Sequence, residues 1–331
     1  MKKIMNEPGA FVSEVIEGLL RAYPDDLAMV EGDERVLIRT RMPADRVGIV
    51  TGGGSGHIPL FLGYVGDGLC TAVAIGNVFS SPSVEQVAAA TMASDRGRGV
   101  LHLIGNYGGD VMNFGMAADE CEDRGVSTRT VLGTDDVLSA PSDRAGSRRG
   151  VAGIIFAYKC AGAAAARGDD LDEVARIAQK AVDATRTAGV GLSPTILPTT
   201  GRPSFDLADG EMEFGIGIHG EPGIQRGPLE PADRLAERLF DAVAAELALT
   251  AGSKVAVLVN GLGATPAEEL LILFRSVWSA LEAQGVLVAK TYIGEYATSL
   301  EMAGASLSIL KLDDELLELL DAPSHSPLVR L

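Results

Sequence analysis

Two of the four histidines in this chain stand in glycine-rich stretches, where an imidazole meets a small molecule more readily than it joins a core. His219 lies in FGIGIHGEPG, flanked by Gly215, Gly217, Gly220, Pro222 and Gly223. So bare a backbone leaves the ring little of its own chain to pack against. A neutral imidazole in such a place can act as a base, a metal ligand or a nucleophile. Metal is the weakest choice, because no H-x-x-x-H or H-E-x-x-H pairing exists and the other histidines are distant in sequence.

His57 sits in TGGGSGHIP (51–59). Consecutive glycines there let backbone N–H groups of Gly54, Ser55 and Gly56 approach a ligand closely. Gly52-x-Gly54 runs on to His57 and Gly54-x-Gly56 to Pro59, so the dinucleotide fingerprint fails in both frames. No Gly-Lys dipeptide exists, so the loop is not a Walker cradle either. The competing reading is a tight turn with a surface histidine. A second loop, GNYGGD (105–110), runs from Gly105 to Asp110. That carboxylate either caps a helix or holds a hydroxyl beside the first loop. His102, inside LHLIGN, reads as a structural histidine, and His325, in APSHSP, as an exposed one.

Short apolar runs must carry these loops. VGIVTG (47–52), CTAVAIG (70–76), VLHLIGN (100–106) and RTVLG (129–133) read as strands, alternating with helical SVEQVAAATMAS (83–94) and DVMNFGMAADECED (110–123). The alternation predicts an α/β fold with a mainly parallel or mixed sheet flanked by helices. Ligands then sit at the carboxyl ends of the strands. Two helices follow, over 149–168 and 170–188, with Asp169 or Asp170 able to cap the second. Residues 189–223 are rich in Gly and Pro, and helices over 231–247 and 265–285 alternate with strands over 254–263, 286–296 and 306–312. Pro59 and Pro266 each suit the first turn of a helix. The change of texture predicts two lobes, residues 1–190 with the glycine loops and residues 191–331 with the His219 loop.

A formal net charge of −17 with no basic run argues against nucleic acid and against an anionic membrane surface. No apolar stretch is long enough to span a bilayer, and the N-terminus lacks the apolar core of a secretory signal. Cys70, Cys121 and Cys160 form no C-x-x-C pair and read as buried reduced thiols. A soluble cytoplasmic protein is expected.

In order along the chain stand GGGSGH, NYGGDVMNFGMAADE, RRGVAGIIFAYKCAGAAAARGDDLDE, GLSPTILPTTGRPSF, EMEFGIGIHGEPGI, NGLGATPAEEL and IGEYATSLEMAGASLSILKLDDE. Together they resemble the K subunit of dihydroxyacetone kinase over nearly the whole length. The resemblance implies a homodimer of two-lobed subunits that captures a short-chain hydroxyketone covalently. It places the hemiaminal-forming imidazole at His219, the general base at His57 and a hydroxyl-binding carboxylate at Asp110. Backbone groups of Gly54, Ser55 and Gly56 would hold substrate oxygens. No metal or nucleotide is expected on this chain; a separate L subunit would carry ATP-Mg or ADP.

Three positions depart from the family pattern. Ile58 follows the histidine where Glu is usual, Asn77 stands where an acidic residue is common, and Gly105 replaces a substrate-contacting lysine. The space left at Gly105 favours a larger ketose such as erythrulose. The alternative reading is a ketose-sensing module without catalytic duty that docks a regulator. A nicotinamide dehydrogenase is disfavoured by the failed fingerprint.

Overall fold

The computed structural model describes residues 2–331; Met1, the first residue of the expected N-terminal lobe, lies outside the described residues. Helix α1 (Phe11–Ala22) precedes a hairpin of β1 (Leu27–Val30) and β2 (Asp33–Arg39), turned at Gly32 with φ of 89°. Then come β3 (Gly48–Ser55), β4 (Ala72–Val78), α2 (Val84–Ser94), β5 (Val100–Gly105), α3 (Gly108–Asp123) and β6 (Thr128–Gly133). They build a six-stranded sheet in the order β1-β2-β4-β3-β5-β6. Its β4-β3-β5-β6 centre is parallel, and the hairpin joins it antiparallel. Parallel strands are covered on both faces, which is why β3 and β5 read as near-continuous apolar or small runs. One face packs on α2 and α3 through Val50, Ala74, Val87 and Phe114.

The other face meets α4 (Ile154–Arg167), which is buried without a break from Ile154 to Ala165. Its alanines and glycine permit this, since a Cβ at Gly162 would run into the backbone of Gly68. Helix α5 (Leu171–Asp183) packs beside α4, and Asp170 caps it, its Oδ1 accepting the Glu173 N–H at 2.9 Å. The chain continues through β7 (Thr185–Ser193), β8 (Glu211–Phe214), β9 (Gln225–Pro228), α6 (Ala232–Ala244), β10 (Lys254–Gly261), α7 (Ala267–Ala283), β11 (Leu287–Gly294), β12 (Ala303–Leu312) and α8 (Asp314–Asp321). A second six-stranded sheet results, β11-β10-β12-β7-β8-β9, in which only β10 and β11 run parallel. One apolar cluster joins Ile49 and Leu101 of the first sheet, through α4, to Leu258 and Leu310 of the second. Helices α6 and α7 cover the outer face of the second sheet.

The α/β class with two helix-flanked sheets agrees with the sequence reading. Several details differ. The helix expected over 170–188 ends at Asp183, and the residues from Thr185 form β7 against β12. Thr185, Thr187 and Val190 are β-branched, and a partner strand outweighs the weak helical bias of Ala184 and Ala188. Residue 190 lies within β7. No α-helix follows Pro59; the chain makes tight turns and a single 3-10 turn at Leu62–Tyr64. Among the described residues, no helix is long and apolar enough to cross a membrane.

Candidate active site

The glycine loop leaves the carboxyl end of β3, and small side chains there are a packing requirement. A Cβ at Gly54 would stand 2.6 Å from the Ser80 nitrogen. Gly56 has φ of 102°, and a Cβ there would stand 2.7 Å from the Phe79 ring. The Ser55 hydroxyl donates to the Gly76 carbonyl at 2.7 Å, and the Ser55 carbonyl accepts the Phe79 N–H at 3.0 Å. A segment of the second sheet's connections clasps this loop. Leu300 N–H donates to Gly56 O at 2.7 Å, Thr298 N–H to His57 O at 3.3 Å, and the Thr298 hydroxyl to Ile58 O at 2.9 Å.

His57 is not on the surface. It is 1% exposed, stacked on Phe79 with 4.9 Å between ring centroids. Its Nδ1 lies 2.7 Å from the Thr298 carbonyl oxygen, which only accepts, so Nδ1 carries the proton and Nε2 keeps its lone pair. Nε2 is buried with no hydrogen-bond partner. Burial, then the neighbouring His219, pushes the ring down to about 3, against the pull of the Thr298 carbonyl and Glu221. It is a neutral imidazole presenting an unshared acceptor.

His219 comes from the loop after β8 and meets that acceptor's ring edge to face, 4.8 Å between centroids. The glycines around it do not leave it bare. Rings from elsewhere in the chain surround it: Tyr107 stands edge-on at 4.8 Å and Phe79 at 5.4 Å. The side chain retains 22% exposure. Glu221 fixes the ring's direction, its Oε1 lying 2.9 Å from Nδ1 while its Oε2 accepts the His219 N–H at 3.0 Å. Burial raises Glu221, but its hydrogen bond and charge interaction with His219, and least of all the Arg149 charge, overcome this and bring it down to about 2. A carboxylate accepts only, so Nδ1 again carries the proton and Nε2 is the free nitrogen.

Asp110 lies in the first turn of α3, near His219. It does not cap the helix, whose N-cap is Tyr107. The carboxylate is 6% exposed, and its Oδ1 is buried with no partner. Burial raises it to about 6, with the Ser81 hydroxyl and His219 pulling the other way. The Tyr107 hydroxyl is likewise buried and unpartnered. Gly105 ends β5, and a Cβ there would stand 3.1 Å from the Tyr107 ring.

The structure therefore brings His57 and His219, from two loops, into ring contact and sets Asp110, in the first turn of α3, near His219; His57 Nε2 and Asp110 Oδ1 are both buried without a partner. Five residues outside the sequence reading complete the surroundings: Phe79, Tyr107, Arg149, Glu221 and Thr298. Only Glu221 left a local signal, as the carboxylate two places after His219. The other two histidines stand apart from the site. His102 is buried, its Nε2 2.9 Å from the Thr91 hydroxyl, and burial lowers it to about 4. His325 is exposed, its Nε2 3.0 Å from Asp26 Oδ1. Among the described residues, no group of three or more His, Cys, Asp or Glu could hold a metal ion.

The chain is similar to the PTS-dependent dihydroxyacetone kinase 2 dihydroxyacetone-binding subunit of Listeria innocua, 44% identical over 99% of this chain and 98% of that protein. It is 41% identical to an L-erythrulose 1-kinase of Mycolicibacterium smegmatis, over the whole of this chain and 58% of that longer protein. Among solved structures, a dihydroxyacetone kinase operon co-activator, DhaQ, superposes with a TM-score of 0.88 at 33% identity, over 96% of this chain and 97% of its own. The Dak1 domain model matches residues 17–328, and on that match and these identities the chain belongs to the Dak1 family of dihydroxyacetone kinase K subunits.

Proposed function

We propose that this chain is the ketose-binding subunit of a two-component kinase, which holds a short hydroxyketone covalently on His219. The observation that carries this reading is the pair of facing imidazoles, each with Nδ1 engaged by an acceptor and Nε2 free. The His219 Nε2 lone pair adds to the ketone carbon. The carbonyl π pair moves to oxygen, which takes up a proton from solvent. Glu221 offsets the charge left on the ring through the Nδ1–H bond. A glycerol-like polyol has no electrophilic carbon and is refused. His57 Nε2 then accepts the proton of the primary hydroxyl as its oxygen attacks phosphorus, and Asp110 holds that hydroxyl. Backbone groups of Gly54, Ser55 and Gly56 hold the remaining oxygens.

The phosphoryl donor is carried by a separate L subunit, as ATP-Mg or as ADP that a phosphotransferase system recharges. The subunit works as a homodimer in the cytoplasm, which suits three buried free cysteines. The Tyr107 ring stands 3.1 Å from where a Cβ at position 105 would be, so the case for a four-carbon ketose rests on the relatives, which are named for dihydroxyacetone and for erythrulose and support either substrate. If dihydroxyacetone is turned over at least about tenfold more efficiently than both erythrulose enantiomers, the four-carbon preference is wrong.

The deciding experiment is carbon-13 NMR of each ketose labelled at its carbonyl, with wild type and His219→Ala side by side. A tetrahedral-carbon signal in wild type alone supports capture. A second reading, a ketose sensor that docks a regulator, draws on the likeness to the co-activator and on Ile58, Asn77 and Gly105. Phosphorylation on adding an L subunit separates the two.

A further inference from the structure

We propose that Arg149 is a positioning residue for His219: it supplies the fixed counter-charge that lets Glu221 orient the imidazole without drawing a second proton onto Nε2. This inference rests on the reading of His219 as the covalent nucleophile, and it names the residue that stands behind the carboxylate orienting that nucleophile.

A carboxylate beside a histidine does two things. It fixes the tautomer, and it favours the imidazolium. The first helps a nucleophile and the second disables it, because an imidazolium has no lone pair. His219 is exposed to this conflict, since one Glu221 oxygen lies 2.9 Å from its Nδ1 and the other accepts its backbone N–H. The remaining titratable groups facing the ring are His57 from the glycine loop and Tyr107 and Asp110 from the start of α3. His57 is held neutral by burial, and Asp110 adds further negative charge once ionised. None of them offsets Glu221.

Arg149 does. Its Nη1 stands 3.9 Å from Glu221 Oε2, an ion pair without a direct hydrogen bond. The rest of the guanidinium is tied down. Nε and Nη2 reach Asp136 Oδ2 at 2.9 and 2.8 Å, and Nη2 also donates to the Gly215 carbonyl at 2.8 Å. One fork therefore holds the start of the His219 loop and sets behind Glu221 a charge that it shares with the nearer Asp136 carboxylate. Gly217 leaves the room, since a Cβ there would fall on the Glu221 carboxylate and within 2.5 Å of Arg149 Nη1. The backbone behind Arg149 is also fixed. Its N–H donates to Ser139 Oγ at 3.0 Å, and the adjacent Arg148 pairs with both Glu246 oxygens at 2.6 and 2.7 Å. A planar fork with three engaged donors is a task for arginine rather than for the point charge of lysine.

The test is the pH dependence of ketose capture, read as the tetrahedral carbon-13 signal from roughly pH 5 to 8, the range over which imidazoles titrate. Wild type, Arg149→Met, Arg149→Lys and Glu221→Gln are compared. Loss of the arginine charge moves the acid limb of Arg149→Met upward by about one pH unit, with capture recovering in alkali. Arg149→Lys keeps a charge and restores most of the wild-type midpoint. Glu221→Gln removes the attraction for a second proton and moves the limb downward. An Arg149→Met profile that lies on the wild type, or is lowered equally at every pH, overturns the proposal. If Arg149→Met fails to fold, an unmoved Glu221→Gln limb overturns it instead. Absence of capture by the wild type at any pH is a different failure, that of the covalent reading itself.

Discussion

His57 and His219 lie edge to face, 4.8 Å between ring centroids, each with Nδ1 held by an oxygen that can only accept. Neither ring's Nε2 has a hydrogen-bond partner in the protein, and that of His57 is buried. The two rings are divided by environment. His57 is 1% exposed and desolvated, whereas the His219 side chain stays partly open to solvent.

That division gives the first prediction. His219→Ala abolishes the tetrahedral carbon-13 signal and lowers turnover with an added L subunit. His57→Ala keeps the signal while turnover falls by about 10²–10⁴-fold. Running NMR and coupled phosphorylation assays on the same preparations checks both. Loss of the signal in His57→Ala would show that the two roles are not separable.

Asp110 provides a pH dependence. Its folded value, about 6, lies above the ordinary 3.8, so the ionised form is destabilised by burial. For a raised carboxyl the favourable contribution is present below pH 3.8, fades as pH rises through about 6, and is gone at neutral pH. Asp110→Asn removes that penalty. The variant is more stable than wild type at neutral pH, by at most about 3 kcal/mol for a shift of about two units. The gain shrinks as pH falls below about 6. Thermal melts across pH check the sign, and a variant less stable at neutral pH contradicts it. Ketose binding through the ionised carboxylate weakens in wild type as pH drops through the same value.

Gly217 offers a steric test of the Glu221 geometry. Gly217→Ala places a methyl where the carboxylate sits, so Glu221 must swing off Nδ1. Capture falls by at least about tenfold, the equivalent of one lost hydrogen bond to a charged group. Titration of the labelled ketose measures this. Capture equal to wild type would mean that the carboxylate is not what orients the ring.

The fourth prediction concerns stability. Arg148 is fully buried and its guanidinium faces Glu246, which also accepts from Arg186 Nε at 3.2 Å. Glu246→Ala leaves a buried cation with one remaining partner, the Ala140 carbonyl at 2.8 Å. A loss of about 3 kcal/mol is expected in chemical denaturation. Because Arg149 is the next residue, capture weakens as well.

His57, Asp110 and His219 were legible in the sequence because strand-end glycine loops are local signals. Ala and Gly in α4 announced close packing, and the runs that became β3, β4, β5 and β6 were recognisable from their apolar content. What was not legible depends on distant chain. Thr298 orients His57 from across the molecule, and Arg149 reaches Glu221 from another loop. Nothing in the spacing of either residue marks it. The β1–β2 hairpin escaped notice because its residues mix charge with apolar side chains and take only part of the burial. The turn from α5 into β7 was misplaced because alanines tolerate either state until a partner strand decides.

The clasp between Thr298, Leu300 and the glycine loop makes the orientation of His57 conditional. The acceptor that keeps its proton on Nδ1 is a main-chain oxygen between β11 and β12, while the ring itself hangs from β3. Neither half of the molecule fixes the His57 tautomer by itself. Only when the two sheets are docked does Nδ1 meet its acceptor, so the tautomer of this one ring serves as an internal read-out of correct assembly.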